Sequence, residues 1–366
     1  LAKELRSALG DASVDEKQEL FTVGSLEAAR EYVLAQRLHL QGKDDEAIVH
    51  YRQATELDPE FGRAYSGWAL SEFRLGRIEE SEVRWQKALS YLDRMTERER
   101  LRTLGLYYLV VSKNYDKAVD NYQELVNKYP ADSGGHNNLA IAYFYLREFA
   151  KARHEGGLAM AIYPKELIYK SNFALYAMYA SEFDTAVAEA SQVIKAGSAF
   201  HKAYLPLAIA AVDDLDLVLA KAAYKDMAAT NSKGASLAAI GLADIAVYEG
   251  ELDLARSILA DGIAADQADG NSRGAAIKLA AMAEVHYALG NTAGAQLAID
   301  ESLDLVRSAA GLVSAAGLLI AQGEHESAQE LANELGASLR PESRAYGKFI
   351  EGQMARLRGE HGKALD

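Results

Sequence analysis

The 366-residue chain carries 39 lysines and arginines against 53 aspartates and glutamates, and its formal net charge of −14 disfavours binding to a phosphate backbone. With no cysteine it has no disulfide, thiolate metal site or thiol nucleophile. Its longest nearly charge-free stretch, residues 308–323, falls short of the ~20 apolar residues of a membrane span, so it reads as a buried helix and no membrane insertion is expected.

Residues 1–10 read as a short amphipathic helix stopped at Gly10, and residues 11–25 as a polar lead-in. From residue 26 the chain repeats itself. In the first period Leu34, Ala35 and Leu38 fall on one helix, Gly42 in a turn, and Ala47, Tyr51 and Ala54 on a second helix that Pro59 ends. Taking Ala47 as the reference position, its equivalents are Ser81, Ala118, Ala152, Ala186, Ala220, Ala255, Ala295, Ala328 and Ala364, at spacings of 34, 37, 34, 34, 34, 35, 40, 33 and 36 residues. Twelve residues before each, or eleven in the case of Gly317, lies another small residue: Ala35, Ala69, Ala140, Ala174, Ala208, Ala243, Ala283, Gly317 and Gly352, with Leu106 the exception. Small residues at both places let two helices approach closely, and neighbouring large ones (Leu34, Trp68, Leu139, Phe173, Leu207, Leu242) fill the space beside them. The longer spacings place insertions at residues 94–98 and 266–272, both polar and turn-like.

A period of this length implies a solenoid of helical hairpins. Residues 26–366 read as one elongated array of about ten repeats, regular over 26–198 and degenerate and alanine-rich over 199–366. Because Leu1 is not an initiator methionine and the last repeat stops at Asp366, halfway through its second helix, a piece of a longer chain is expected. The pattern predicts at least ~70% helix and no sheet. Pro206, inside the first helix of the sixth repeat, predicts a kink or a late helix start there.

The stretch DDEAIVHYRQATELDPEF, residues 44–61, resembles a tetratricopeptide repeat, whose small, aromatic, small, proline series marks the second helix of a 34-residue hairpin. DKAVDNYQELVNKYP, residues 116–130, and the segment ending AMAIYP at Pro164 match it too; beyond residue 198 the terminating proline is missing and only spacing and small residues carry the likeness. The resemblance implies an all-α, right-handed superhelical solenoid that acts as a non-catalytic interaction or sensing module, with the first helices lining a concave face. A second, weaker resemblance rests on LAKELRSALG, SLEAAREYVLAQ, RERLRTLGLYY and GGHNNLAIAY. These are similar to the tetratricopeptide regions that follow the kinase domain of bacterial eukaryotic-type serine/threonine kinases, and to related sensor regulators, often beyond a membrane span. No kinase motif is present in this sequence. The resemblance leaves cytoplasmic and extracytoplasmic placement both open.

Positions that recur once per repeat form columns along such an array. Fourteen residues before the reference lie Asn138 and Asn172; fifteen before it lie Tyr32, Ser66, Thr103, Asn137 and Ser171; seven before it lie Arg74, Tyr145 and Tyr179. Stacked asparagines offer donors and acceptors to an extended backbone, and tyrosines add flat apolar area with a polar tip. With Tyr107 on the third repeat, these residues outline a groove for a peptide or protein partner over the third to fifth repeats. The competing reading has Asn137 and Asn138 capping or solvating the helix that starts after Asp132 and Ser133, and the tyrosines packing between repeats. Of the 31 aromatic residues 25 lie within residues 1–200, which favours that half as the recognition surface, although Trp68 and Trp85 fall at core positions. Arg63, Arg74 and Arg100 bring positive charge that suits an acidic ligand, but they do not reproduce the lysine and asparagine clamp of chaperone-binding relatives. The eight histidines are scattered, none paired at helical ligand spacing, and no Gly-x-Ser-x-Gly elbow occurs, so neither metal, cofactor nor catalytic site is expected. A self-associating scaffold and the regulatory region of a larger signalling protein remain as alternatives.

Overall fold

The computed structural model describes residues 23–197, 200–338 and 341–364; of these, 80% are helical and none lies in a β-strand. The period folds, as expected, into an all-α helical-repeat solenoid. The expected helix at residues 1–10 and the lead-in up to residue 22 lie outside the described residues. The chain divides into two compact units, Leu1–Ser198 and Ala199–Asp366.

The first unit holds five hairpins: α1 Leu26–Leu40 with α2 Asp44–Leu57, α3 Gly62–Arg74 with α4 Ile78–Ser90, α5 Glu97–Val110 with α6 Tyr115–Lys128, α7 Ser133–Tyr145 with α8 Phe149–Ile162, and α9 Leu167–Tyr179 with α10 Phe183–Lys195. Side chains accept from the orphan amides at several helix starts: Ser25 caps α1, Asn114 caps α6, Asp132 caps α7, and Thr96 with Glu99 forms a reciprocal box on α5. The insertion expected at residues 94–98 is the junction between α4 and α5, where a short 3-10 helix, Leu92–Arg94, precedes Thr96.

The second unit holds α11 Leu205–Asp213 with α12 Leu217–Ala228, α13 Ser232–Tyr248 with α14 Leu252–Ala268, α15 Ser272–Ala288 with α16 Thr292–Leu305, α17 Ala309–Gln322 with α18 His325–Gly336, and α19 Pro341–Leu357. The late start predicted at Pro206 is found: a 3-10 helix spans His201–Tyr204, and α11 begins at Leu205 with the proline in its first turn, where a missing N–H costs no ladder bond. The insertion at residues 266–272 corrects a turn expectation. The extra residues extend α14 to Ala268, so that α13, α14 and α15 each run to 17 residues, and Asp266 is a buried helical residue.

The small-residue register is the seam of each hairpin. Ala47, Ala118, Ala152, Ala186, Ala220, Ala255, Ala295 and Ala328 are all fully buried, as are Ala35, Ala69, Ala140, Ala174 and Ala208 across from them. Ser81, the one reference residue that is not alanine, donates its hydroxyl to the carbonyl of Ala69 (2.8 Å), its own partner twelve residues back. Trp68, Leu139 and Phe173 are buried, Trp68 and Leu139 against side chains of the preceding hairpin. Leu34 departs from this pattern and is exposed, because no hairpin precedes α1 among the described residues.

A second register is invisible in composition. Five residues before every reference position the backbone enters the left-handed region: Gly42, Gly76, Lys113, Arg147, Ser181, Leu215, Gly250, Gly290, Gly323 and Gly359, with φ from 51° to 83°. At most of these turns the following amide returns to a carbonyl five residues back (Lys43 to Leu38, Arg77 to Glu72, Glu148 to Tyr143, Asp216 to Ala211), which ties off the end of the first helix. A side chain in this conformation costs about 1–2 kcal/mol. Leu215 is well exposed at φ 59°, so Leu215→Gly is expected to stabilise the second unit by about 1 kcal/mol in a denaturant titration, despite the greater chain entropy of glycine.

Within each unit the first helices of successive hairpins touch one another: α1 meets α3, α3 meets α5 and α5 meets α7, as α13 meets α15, α15 meets α17 and α17 meets α19. Second helices form no such run. The contacting first helices form one wall of each unit, here the inner wall, and that of the first unit carries the predicted columns.

Candidate functional site

Three asparagines on α7 and α9 form a relay. Asn172 Nδ2 donates to Asn137 Oδ1 (2.9 Å), Asn137 Nδ2 to Asn138 Oδ1 (3.1 Å), and Asn138 Nδ2 to the Tyr122 hydroxyl (3.0 Å). All three asparagines are half-buried, whereas Tyr122 is sealed in the core, where burial pushes its hydroxyl pKa up although the hydrogen bond from Asn138 opposes this. The bond between the two helices thus joins Asn172 to Asn137 and not to Asn138, its register equivalent; the three asparagines satisfy one another, and Asn172 Oδ1 is the acceptor left at the end. None of them caps α7. Asp132 does so, accepting from the Gly135 amide at 2.8 Å.

The column one residue earlier turns inward. Tyr32, Ser66, Thr103 and Ser171 are all buried, and only Asn137 of that set keeps some exposure. Ser171 therefore presents no free surface. Tyr107 likewise packs between repeats, edge-on to Trp85 (5.8 Å between centroids) and to Tyr108 (5.7 Å). Of the third column, Tyr145 and Tyr179 are 53% and 47% exposed and both lie edge-on to Phe144; Tyr145 also stacks on Tyr115 (4.7 Å) and Tyr179 on Phe149 (5.2 Å). These pairs make an aromatic ridge beside the hairpin turns. Arg74 stands apart from it, its Nε 3.1 Å from Asp44 Oδ2 and its Nη1 donating to the His39 carbonyl. Burial pushes the Asp44 carboxyl up, and His39 and Arg74 more than reverse this, holding it below the usual carboxylate range.

Two arginines that sequence reasoning passed over belong to the same wall. Arg98 Nε and Arg102 Nε reach Asp132 Oδ2 at 3.0 and 2.8 Å, and Arg102 Nη2 reaches Oδ1 at 2.5 Å. Burial raises the Asp132 pKa, but the two guanidinium groups and the Gly135 amide outweigh it, and the net shift is downward. The nearby His136 imidazole meets Glu155 (2.6 Å) and the Pro130 carbonyl (3.0 Å); burial lowers its pKa, and these acceptors turn the net shift upward. Arg63 is buried with its guanidinium on three hydroxyls, Tyr32, Ser66 and Thr103. Arg100 is exposed near Glu124. Among the described residues no group of three metal-ligating side chains comes together, and no described helix is long and apolar enough to cross a membrane.

Successive hairpins whose first helices carry polar side chains define a helical-repeat scaffold that holds side chains along a surface. The family model of the TPR repeat matches residues 35–76. A TPR repeat-containing protein of Methanocaldococcus jannaschii is 25% identical over 166 residues, which is 43% of this chain and 29% of that protein, so the chain spans less than a third of that curated relative's length. The crystal structure of a Rap protein complexed with Competence and Sporulation Factor shares the fold, with a TM-score of 0.59 and 16% identity over 93% of this chain and 100% of that one. The chain therefore carries a TPR repeat at residues 35–76 and is similar to tetratricopeptide-repeat proteins, whose repeats are of the kind that serve as protein-interaction modules.

Proposed function

We propose that the inner wall of the first unit docks an extended peptide or a peptide-like segment of a partner protein, and that the module is non-catalytic. The observation that carries this reading is the asparagine relay, which leaves Asn172 Oδ1 and the remaining amide hydrogens of a half-buried polar line available to a ligand backbone. Because the line is already hydrogen-bonded, it is held in place before the ligand arrives, and binding costs the receptor little side-chain entropy. Tyr145 and Tyr179 supply partly exposed aromatic area on the same two helices.

The two ends of the relay have different expected roles. Asn172→Ala removes the terminal acceptor, so melting should shift by less than about 0.5 kcal/mol in equivalent stability while affinity for a captured partner falls about tenfold. Asn138→Ala instead strands the buried Tyr122 hydroxyl and should cost about 1–3 kcal/mol of stability. Thermal melts and titrations of both variants check this. Unchanged affinity in the Asn172→Ala protein removes the relay from the binding surface.

A further inference from the structure

Arg63 is 9% exposed, and among the described residues no carboxylate lies within ion-pair distance of it. Buried arginines are ordinarily held by an acid, as Arg102 is by Asp132. Arg63 has only hydroxyls. Its Nη1 donates to Ser66 Oγ (3.1 Å) and Thr103 Oγ1 (3.2 Å), and its Nη2 to the Tyr32 hydroxyl (3.3 Å). Its position in the first turn of α3, the positive end of the helix dipole, adds to the cost of the charge.

A guanidinium has five N–H donors, and three are accounted for. The two left over are Nε–H and one hydrogen on Nη2. A charge-assisted donor such as Nε–H is what a carboxylate oxygen accepts best. Nε has no partner among the described residues, yet it is not among the buried atoms sealed without a hydrogen bond, so Nε–H faces the part of the side chain that stays open. The surroundings carry the same sign. Ser66 spends its own O–H on the Arg63 carbonyl (2.9 Å), while the hydroxyls of Tyr32 and Thr103 accept from Arg63 and keep their O–H donors uncommitted. Beside the second lone pairs of these hydroxyl oxygens, what is left uncommitted at this point is a set of donors.

We infer that Arg63 is the receptor for one carboxylate of the docked peptide, fixed by Tyr32, Ser66 and Thr103 with its Nε–H toward the ligand. The inference rests on the docking reading above and makes an acidic residue, or the C-terminal carboxylate, a determinant of what the wall accepts. One cation and three neutral hydroxyls match a single negative charge better than a phosphate dianion. The arrangement differs from a clamp of lysines and asparagines, because one planar group does the recognition and hydroxyls orient it.

The test uses three pentapeptides: Ala-Ala-Asp-Ala-Ala acetylated and amidated, the same peptide with asparagine at its centre, and the asparagine peptide with a free C-terminal carboxylate. Each is titrated against the wild-type chain, Arg63→Gln and Arg63→Lys, with melting curves alongside. In the wild type one of the charged peptides should bind at least about tenfold more tightly than the neutral one, and which of them does so tells a side-chain carboxylate from a terminal one. In Arg63→Gln that preference should fall below about twofold while the neutral peptide binds as before; Arg63→Lys, with charge but without the planar group that the hydroxyls orient, should fall in between. Free Arg63→Gln should melt no lower than wild type and lose the rise in melting temperature that the charged peptide gives. Equal binding of charged and neutral peptides, or a preference that survives in Arg63→Gln, overturns the inference and leaves the docking reading standing, since the neutral peptide still responds to Asn172→Ala. No binding of any of the three overturns both. Should the glutamine variant not fold, the lysine variant decides by the same comparison.

Discussion

Lys278→Met is expected to destabilise the second unit by about 3–5 kcal/mol, the largest loss foreseen for a single substitution in that unit. The side chain of Lys278 is fully buried, and its Nζ lies 2.5 Å from Asp266 Oδ2 and 2.9 Å from Ser236 Oγ. Asp266 is 3% exposed and also accepts from Asn271 Nδ2 (2.9 Å), whose Oδ1 caps α15 through the Gly274 amide. Methionine fills much of the volume but strands the carboxylate among α13, α14 and α15. The paired change Lys278→Met with Asp266→Leu should recover most of the loss, because two buried charges removed together leave no unpaired partner. Urea unfolding of the three proteins checks this, and a loss under about 1 kcal/mol in Lys278→Met would contradict it.

Asp132→Ala should cost the first unit about 3 kcal/mol, for two reasons that act in different places. The helix cap on α7 is worth about 1 kcal/mol. The larger part is the loss of the only fully buried anion described between Arg98 and Arg102, each 14% exposed. Since the folded pKa of Asp132 is depressed, its contribution is present above the ordinary carboxylate value near 3.8 and is lost as pH falls through the lower folded value. Wild-type stability should therefore decline from about pH 4 downward, and Asp132→Asn, which cannot titrate, should show a shallower acid limb. Denaturant titrations between neutral pH and about pH 2 separate the two slopes; parallel acid limbs would remove Asp132 from the linkage.

The hairpins were legible in the sequence because their seam is steric. Alanine at the reference position and twelve residues before it leaves a periodic mark that no other requirement erases. The left-handed turn was half hidden, since Lys113, Arg147, Ser181 and Leu215 occupy it where glycine would have announced it. The ion pair of Asp266 and Lys278 left no sign, because an aspartate near a glycine and an asparagine reads as a turn until the helix that buries it is seen. At the candidate site the register paired Asn138 with Asn172 on neighbouring first helices, yet Asn172 meets Asn137 instead. Register alone gives equivalence and not rotation, however. It could not say that the column of Tyr32, Ser66, Thr103 and Ser171 faces inward, nor that Tyr107 turns to Trp85. Arg102 and Asp132 stand 30 residues apart with no motif joining them.

The left-handed residue stands five positions before the reference in all ten repeats, although the repeats themselves vary from 33 to 40 residues. Every insertion and deletion has thus been absorbed between one hairpin and the next, or in helix length, and none inside the bend. The bend is a fixed elbow and the junctions are the adjustable joints. In evolutionary terms, the spacing between equivalent positions on successive first helices can be retuned by lengthening a junction, as at residues 91–96, without refolding any hairpin. Grafting experiments that exchange whole hairpins should therefore be cut at the junctions and never at the elbow.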